Sequence, residues 1–264
     1  MGIAQNIRRK IYRLFPTYRL VERKVLPLEK RLVKIENLLL KMSAGQDFLY
    51  DVSIDGMSFQ FYDLLSSSSV DFVTDDMNSG KANAELLNMN FKDGDCIIDI
   101  GGNVGIVSIY LAKKHPNIKI YAYEPVKRNY ENFLKNIKVN NIPDGVIEVF
   151  NKAVTQDGRD VHAAISIRNT GASSIYYTMG ATGGGDVPSI TLDKIFEENN
   201  ISKCALLKID CEGAEYEIIY NTKGEHLRKC ACILGETHGK LADGKALIEY
   251  CREFIPLAYW DLQG

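Results

Sequence analysis

Cys96-Ile97-Ile98-Asp99-Ile100-Gly101-Gly102-Asn103-Val104-Gly105 is the stretch that decides the fold. β-Favouring residues lead to an acid, then to a glycine-rich turn, then to a helix-compatible run from Ile106 to Lys114. That pattern describes a buried parallel strand breaking into a tight loop and a helix. Open α/β sheets hold nucleotide-like ligands at this place. Glycine is expected there because the turn needs unusual backbone angles and lets ligand atoms come close to the backbone. A dinucleotide loop would read G-x-G-x-x-G. With Gly101 counted first, Asn103 occupies the middle glycine position. The loop is therefore expected to take a ligand without a pyrophosphate, contacted by Asp99, Gly101, Asn103 and Gly105. S-adenosylmethionine (SAM), an adenosine with a short zwitterionic tail, is such a ligand.

Outward from this loop, strands and helices alternate. The pattern predicts strand 96–100, helix 105–114, strand 118–124, helix 126–139, strand 145–154 and helix 191–199. Strand 204–211, helix 214–229, strand 231–237, helix 243–253 and a last strand around 255–262 follow. Such alternation implies a mostly parallel sheet with helices on both faces. Upstream, Phe48–Ile54 and Met57–Tyr62 flank Asp55-Gly56, a hairpin signal. A polar, serine-rich passage comes next, then a short helix near 82–89. Segment 155–190 breaks the alternation. Val161–Ile167 and Ser174–Thr178 read as β-ribbon, Gly180–Gly185 as flexible loop, and Pro188 ends the insertion. A ribbon of this kind suits a lid or a substrate-recognition element.

Two segments are expected: a basic helical arm, 1–44, and an α/β domain, 45–264. Through Met42 there are eleven Lys/Arg and three Glu, near +8; the rest of the chain is near −10. In the arm, Val21, Val25, Leu28, Leu32, Ile35, Leu39 and Met42 recur at alternating steps of four and three, a heptad seam. Packing on its own domain, a homo-oligomer and peripheral contact with the inner membrane surface all remain open for it. The acidic domain argues against a nucleic-acid partner. The six cysteines form no C-x-x-C pair and read as reduced core thiols. With neither an apolar span nor a secretory signal in the sequence, a cytoplasmic location is expected.

The acids cluster at strand ends. Glu124, about twenty residues past the glycine loop, is placed to accept both ribose hydroxyls. Asn151 and Ala153, ending the next strand, would lie beside the adenine. Leu206-Leu207-Lys208-Ile209-Asp210-Cys211-Glu212-Gly213-Ala214-Glu215 leads from a strand into a helix with three carboxylates. Asp210 is expected to face the reacting centre, on the cofactor side as well as the acceptor side, with Glu212 and Glu215 in support. In Leu234-Gly235-Glu236-Thr237-His238, Glu236 and His238 share one side of an extended strand. Asp210, Glu236 and His238 would converge as catalytic groups. They would either ligate Mg²⁺ or Mn²⁺, or present His238 as a general base. The sequence leaves both open.

Together these pieces resemble the FkbM family of SAM-dependent methyltransferases. The resemblance rests on Ile98–Gly105, Tyr123-Glu124-Pro125, the helix with Asn129, Asn132 and Asn136, Val187–Asp193, Leu207–Glu215 and Glu236-Thr237-His238. It runs from about residue 50 to the end, and the Lys208–Glu215 segment is its most specific part. Gly102 stands where the family often has alanine, and Cys211 where valine is common. The resemblance implies a Rossmann-like class I methyltransferase fold. That class usually ends in an antiparallel hairpin, so a further strand is expected beyond this sequence. It also implies O-methylation of a sugar hydroxyl, on a nucleotide-activated sugar or a surface polysaccharide. Two alternatives are a secondary-metabolite acceptor and a SAM-binding interaction module without turnover.

Overall fold

The computed structural model describes residues 45–79, 85–165, 183–238 and 240–263. The basic arm and, within the expected elements, residues 82–84, 166–167, 174–178 and 180–182 lie outside them. β1 (Asp47–Ile54) and β2 (Met57–Leu64) form the expected antiparallel hairpin. Asp55 and Gly56 both carry positive φ, as its two-residue turn requires. The serine-rich passage is not merely a polar connection. It opens α1 (Ser69–Ser79), whose Val70, Thr74 and Met77 recur on one buried face. α2 (Glu85–Asn88) follows, then β3 (Cys96–Ile100), α3 (Ile106–Lys114), β4 (Lys119–Tyr123) and α4 (Lys127–Val139).

The expected strand 145–154 is two strands. β5 (Ile147–Phe150) stays in the main sheet, whereas β6 (Ala153–Val154) leaves it. Asn151 breaks the run: its Nδ2 reaches back to the carbonyls of Glu124 and Pro125, both at 2.9 Å. β7 (Val161–Ile165) pairs antiparallel with β8 (Gly183–Val187). Gly183–Gly185 is thus strand rather than loop, and a Cβ on Gly184 would collide with the His162 ring and the Ala163 carbonyl. β9 (Ser189–Ile190) pairs with β6. After α5 (Leu192–Glu198) and β10 (Leu206–Ile209), the expected helix 214–229 divides into α6 (Glu215–Asn221) and α7 (Gly224–Leu227). Thr222 is extended at the break, and its Oγ1 donates to the Ile218 carbonyl at 2.7 Å. β11 (Cys232–His238), α8 (Leu241–Arg252) and β12 (Leu257–Gln263) complete the described chain.

The main sheet has the order β12-β11-β10-β3-β4-β5 and is parallel throughout. Its central strands bury both faces. Ile97, Leu206, Cys232 and Leu234 pack with the hairpin, α1 and α3. Ile98, Ile100, Leu207, Ile209 and Ile233 pack with α5, α6, α7 and α8. This two-sided burial explains why the strands read as continuous apolar runs. The chain leaves β3 toward β4 on one side and returns to β10 on the other. The order therefore reverses at β3, and the carboxyl ends of β3 and β10 flank the resulting crevice. All six cysteines are free thiols, and Cys204, Cys230, Cys232 and Cys251 are buried. Among the described residues, no helix is long and apolar enough to cross a membrane.

Candidate active site

The glycine loop and the end of β10 are one structure. The Asp210 N–H donates to the Ile100 carbonyl at 3.1 Å. A Cβ on Gly101 would run into the Asp210 carbonyl, and Gly101 has φ +79. Gly105, φ +91, precedes α3, and a Cβ there would enter the Phe133 ring. These glycines are thus required by internal packing and backbone conformation. Close ligand approach, expected from the sequence, is not needed to explain them.

Asp99 departs from expectation. It is 1% exposed, accepts from Ser108 Oγ at 2.6 Å and pairs with Lys208 Nζ at 3.0 Å. Lys208 Nζ also donates to the Gly101 carbonyl at 3.1 Å. Asp99 therefore anchors the loop from inside the protein and does not open onto the crevice as a cofactor contact. Burial pulls the Lys208 pKa down, but Asp99 and Asp210 outweigh it, and the ammonium ends above its ordinary value.

Glu124 is 4% exposed. Its Oε2 accepts the Asn103 N–H at 2.8 Å; its Oε1 accepts the Val126 N–H at 2.8 Å and Asn129 Nδ2 at 3.4 Å. Burial pushes its carboxyl up to about 7 against these donors. Asn103, with φ +47, sends Nδ2 to Ser69 Oγ at 2.5 Å, while its Oδ1 is buried without a hydrogen-bond partner. Asn151 and Ala153 are not set out along an open strand end. Asn151 spends its amide on the turn after β4. Ala153 is 2% exposed beneath the ribbon, packed with Val126, Ala163 and Val187.

Asp210, Glu236 and His238 do converge, and two further acids join them. His238 Nδ1 lies 3.2 Å from Glu215 Oε1; Nε2 lies 3.3 Å from Glu212 Oε2 and 3.6 Å from Glu236 Oε1. Glu215 is fully buried and also accepts the N–H groups of Cys211 and Gly213. Burial works against its ionisation, but His238 overcomes this and holds it below the usual carboxylate range. Burial likewise disfavours charge on His238, yet Glu215, Glu212 and Asp210 push its pKa up to about 9. Burial raises Glu212 and Glu236 each to about 7, and raises Asp210 as well. The ligand atoms that would fit a metal ion, all within 4.8 Å of one another, come from Asp210, Glu215 and His238. Glu215 replaces Glu236 in that set. The sequence shows Glu215 only as one acid among three. Its place follows from the left-handed turn at Glu212 and Gly213, which swings the first residue of α6 back under His238.

A family model described as the Methyltransferase FkbM domain matches residues 99–257. Methyltransferase 1 of Beauveria bassiana is 24% identical over 181 residues, covering 60% of this chain and 72% of that protein. Methyltransferase sdnD of Sordaria araneosa is 24% identical over 176 residues, covering 56% and 68%. Among solved structures, a precorrin-6y C5,15-methyltransferase from Geobacter metallireducens overlaps at a TM-score of 0.40 and 13% identity, over 66% of this chain and 70% of that one. The family match spans the glycine loop, Glu124, Asp210 and the His238 cluster, all of which the fold gathers at one sheet edge. This chain belongs to the FkbM family of SAM-dependent methyltransferases.

Proposed function

We propose that the chain transfers the SAM methyl group to a hydroxyl oxygen of a sugar or similarly polyhydroxylated acceptor. The observation that carries this reading is the abutment of the glycine loop on Asp210 at the end of β10, with the Glu236 and His238 end of the neighbouring β11 completing the carboxylate–imidazole cluster beside it. The SAM-facing loop and a set of groups able to grip adjacent hydroxyls are thereby side by side.

The residues fit SAM. The partnerless Asn103 Oδ1 is an acceptor for a cofactor N–H or O–H, and the Glu124 carboxylate keeps acceptor capacity for the ribose hydroxyls beside the Asn103 N–H that it holds. SAM supplies an electrophilic methyl group on sulfonium. In the transfer, the acceptor oxygen forms a bond to the methyl carbon as the sulfur–carbon bond breaks. The electron pair of that bond stays on sulfur, and the hydroxyl proton must go to a base. A histidine held near 9 is mostly protonated at neutral pH and is a poor acceptor. Glu236, with a value of about 7, is better matched to take that proton. The His238 imidazolium then offsets the negative charge developing on the oxygen. Positioning of the oxygen opposite sulfur supplies much of the remaining rate.

A second reading has its own observation: Asp210, Glu215 and His238 offer a ligand set that suits Mg²⁺ or Mn²⁺. Such a cation would hold vicinal acceptor oxygens and lower the pKa of one. A methyl-transfer screen over glycosides and nucleotide sugars, read by a mass gain of one methylene, tests the acceptor class. Turnover only on non-hydroxyl acceptors would overturn the O-methylation reading. Chelation separates the two routes: full activity in excess EDTA leaves the metal-free route, and loss restored by Mn²⁺ selects the cation.

A further inference from the structure

Four asparagines line one stripe of α4 and its C-terminal cap: Asn129, Asn132, Asn136 and the capping Asn140, none more than 5% exposed. Buried amides on a helix must find partners or carry a desolvation cost. Asn136 and Asn140 find theirs on β2. Asn136 Oδ1 accepts the Tyr62 N–H at 2.6 Å, and its Nδ2 donates to the Tyr62 carbonyl at 3.1 Å. Asn140 repeats the pattern on Gln60, at 3.1 and 2.6 Å. Residues 60 and 62 alternate along the strand. The two amides therefore satisfy one edge of β2 as a neighbouring strand would.

Asn136 makes one contact that Asn140 does not. Its Nδ2 also donates to the Val104 carbonyl, inside the glycine loop, at 2.8 Å. One residue earlier, Asn103 Nδ2 is tied to Ser69 Oγ at the start of α1. Two successive loop residues are thus fastened to the hairpin and α1. Both of those elements precede the segment that the family match covers.

We propose that Asn136 is a positioning residue for SAM binding, locking the glycine loop to the hairpin so that Asn103 and Glu124 meet the cofactor in one geometry. The lock acts where Asn103 sits in the left-handed region, at φ +47, which asparagine tolerates better than other non-glycine residues but does not hold by preference. Its N–H nevertheless has to stay on Glu124. The proposal rests on the SAM reading of the loop.

The test compares Asn136→Asp with Asn140→Asp in the full chain. Each change keeps the acceptor for the β2 N–H and removes two amide-donor bonds: from Asn136 to Tyr62 and Val104, from Asn140 to Gln60 and the Asn136 carbonyl. Both variants should melt lower by similar amounts. SAM titration by calorimetry, well below both midpoints, should show the dissociation constant rising about tenfold for Asn136→Asp and staying within about twofold for Asn140→Asp. In the methyl-transfer assay, KM for SAM should rise with kcat at saturating SAM unchanged. Equal effects of the two variants on SAM affinity, or none from Asn136→Asp, would overturn the proposal. Ser69→Ala covers the case in which Asn136→Asp does not fold. It deletes the other tie and should raise the SAM dissociation constant several-fold, and an unchanged constant would overturn the locking role. A parent chain that does not bind SAM would overturn the cofactor reading itself, a result distinct from equal losses in two variants.

Discussion

The buried Glu124 carboxyl should leave a measurable mark on stability. Its folded pKa is about 7, raised by burial from an ordinary 4.5. Below about pH 4.5 it is protonated in both folded and unfolded chains and costs nothing. Between 4.5 and 7 the folded state holds the proton more tightly, so stability falls as pH rises. Above 7 the loss is complete. At about 1.4 kcal/mol per pH unit, that window amounts to roughly 3 kcal/mol. Net stabilities are about 5–15 kcal/mol, so the effect is large. Urea denaturation of ligand-free protein at steps from pH 4.5 to 8 would read it, as a midpoint shift of about 1 M for an m-value near 3 kcal/mol/M. Glu212, Glu236 and His238, also raised, add slopes of the same sign up to about pH 9. Glu124→Gln isolates the one group, because it cannot titrate. The difference between parent and variant midpoints should change by most of that 1 M across the window. Parallel pH profiles would refute the reasoning, and would mean that water or loop motion solvates the carboxylate.

Other perturbations act on the same framework. Gly101→Ala must place a methyl group against the Asp210 carbonyl at φ +79, so folded yield should collapse or stability fall by more than about 4 kcal/mol; a well-folded variant would show that the loop and β10 are not in contact. Lys208→Met leaves Asp99 buried without its cation and should cost about 3–5 kcal/mol in chemical denaturation, with Asp99→Asn in the same chain restoring much of it. No rescue would mean that the pair is not what the lysine supports. His238→Ala should slow methyl transfer by about 10²-fold or more while calorimetry finds SAM affinity little changed; equal loss of both would place His238 on the cofactor side.

The outcome divides along a physical line. Local signals are carried by neighbouring residues, and these were legible. Apolar runs bounded by glycine turns gave each sheet strand near its observed position. Asp55-Gly56 gave the hairpin, and Glu236-Thr237-His238 gave two groups on one side of a strand. Breaks set by a distant partner were not legible. β5 ends where Asn151 reaches back to the turn after β4, and α6 ends at Thr222, where the next residue's N–H goes to Asp193 at 3.1 Å. The ribbon glycines serve as strand because β7 lies against them.

The site divides in the same way. The sequence by itself determined the residue types at the strand ends: the glycine loop, Glu124 and the acids around His238. Those follow from chain connectivity, since parallel strands deliver their carboxyl ends to one edge. Where each acid points was decided only in three dimensions. Asp99, spaced like a ligand contact, turns inward because Lys208 on the adjacent strand neutralises it. Glu215, spaced like a helix-start acid, swings beneath His238 because two residues with positive φ reverse the chain before it. Charge pairing between strands and the direction of a turn are properties of packed neighbours, and no spacing along the chain encodes them.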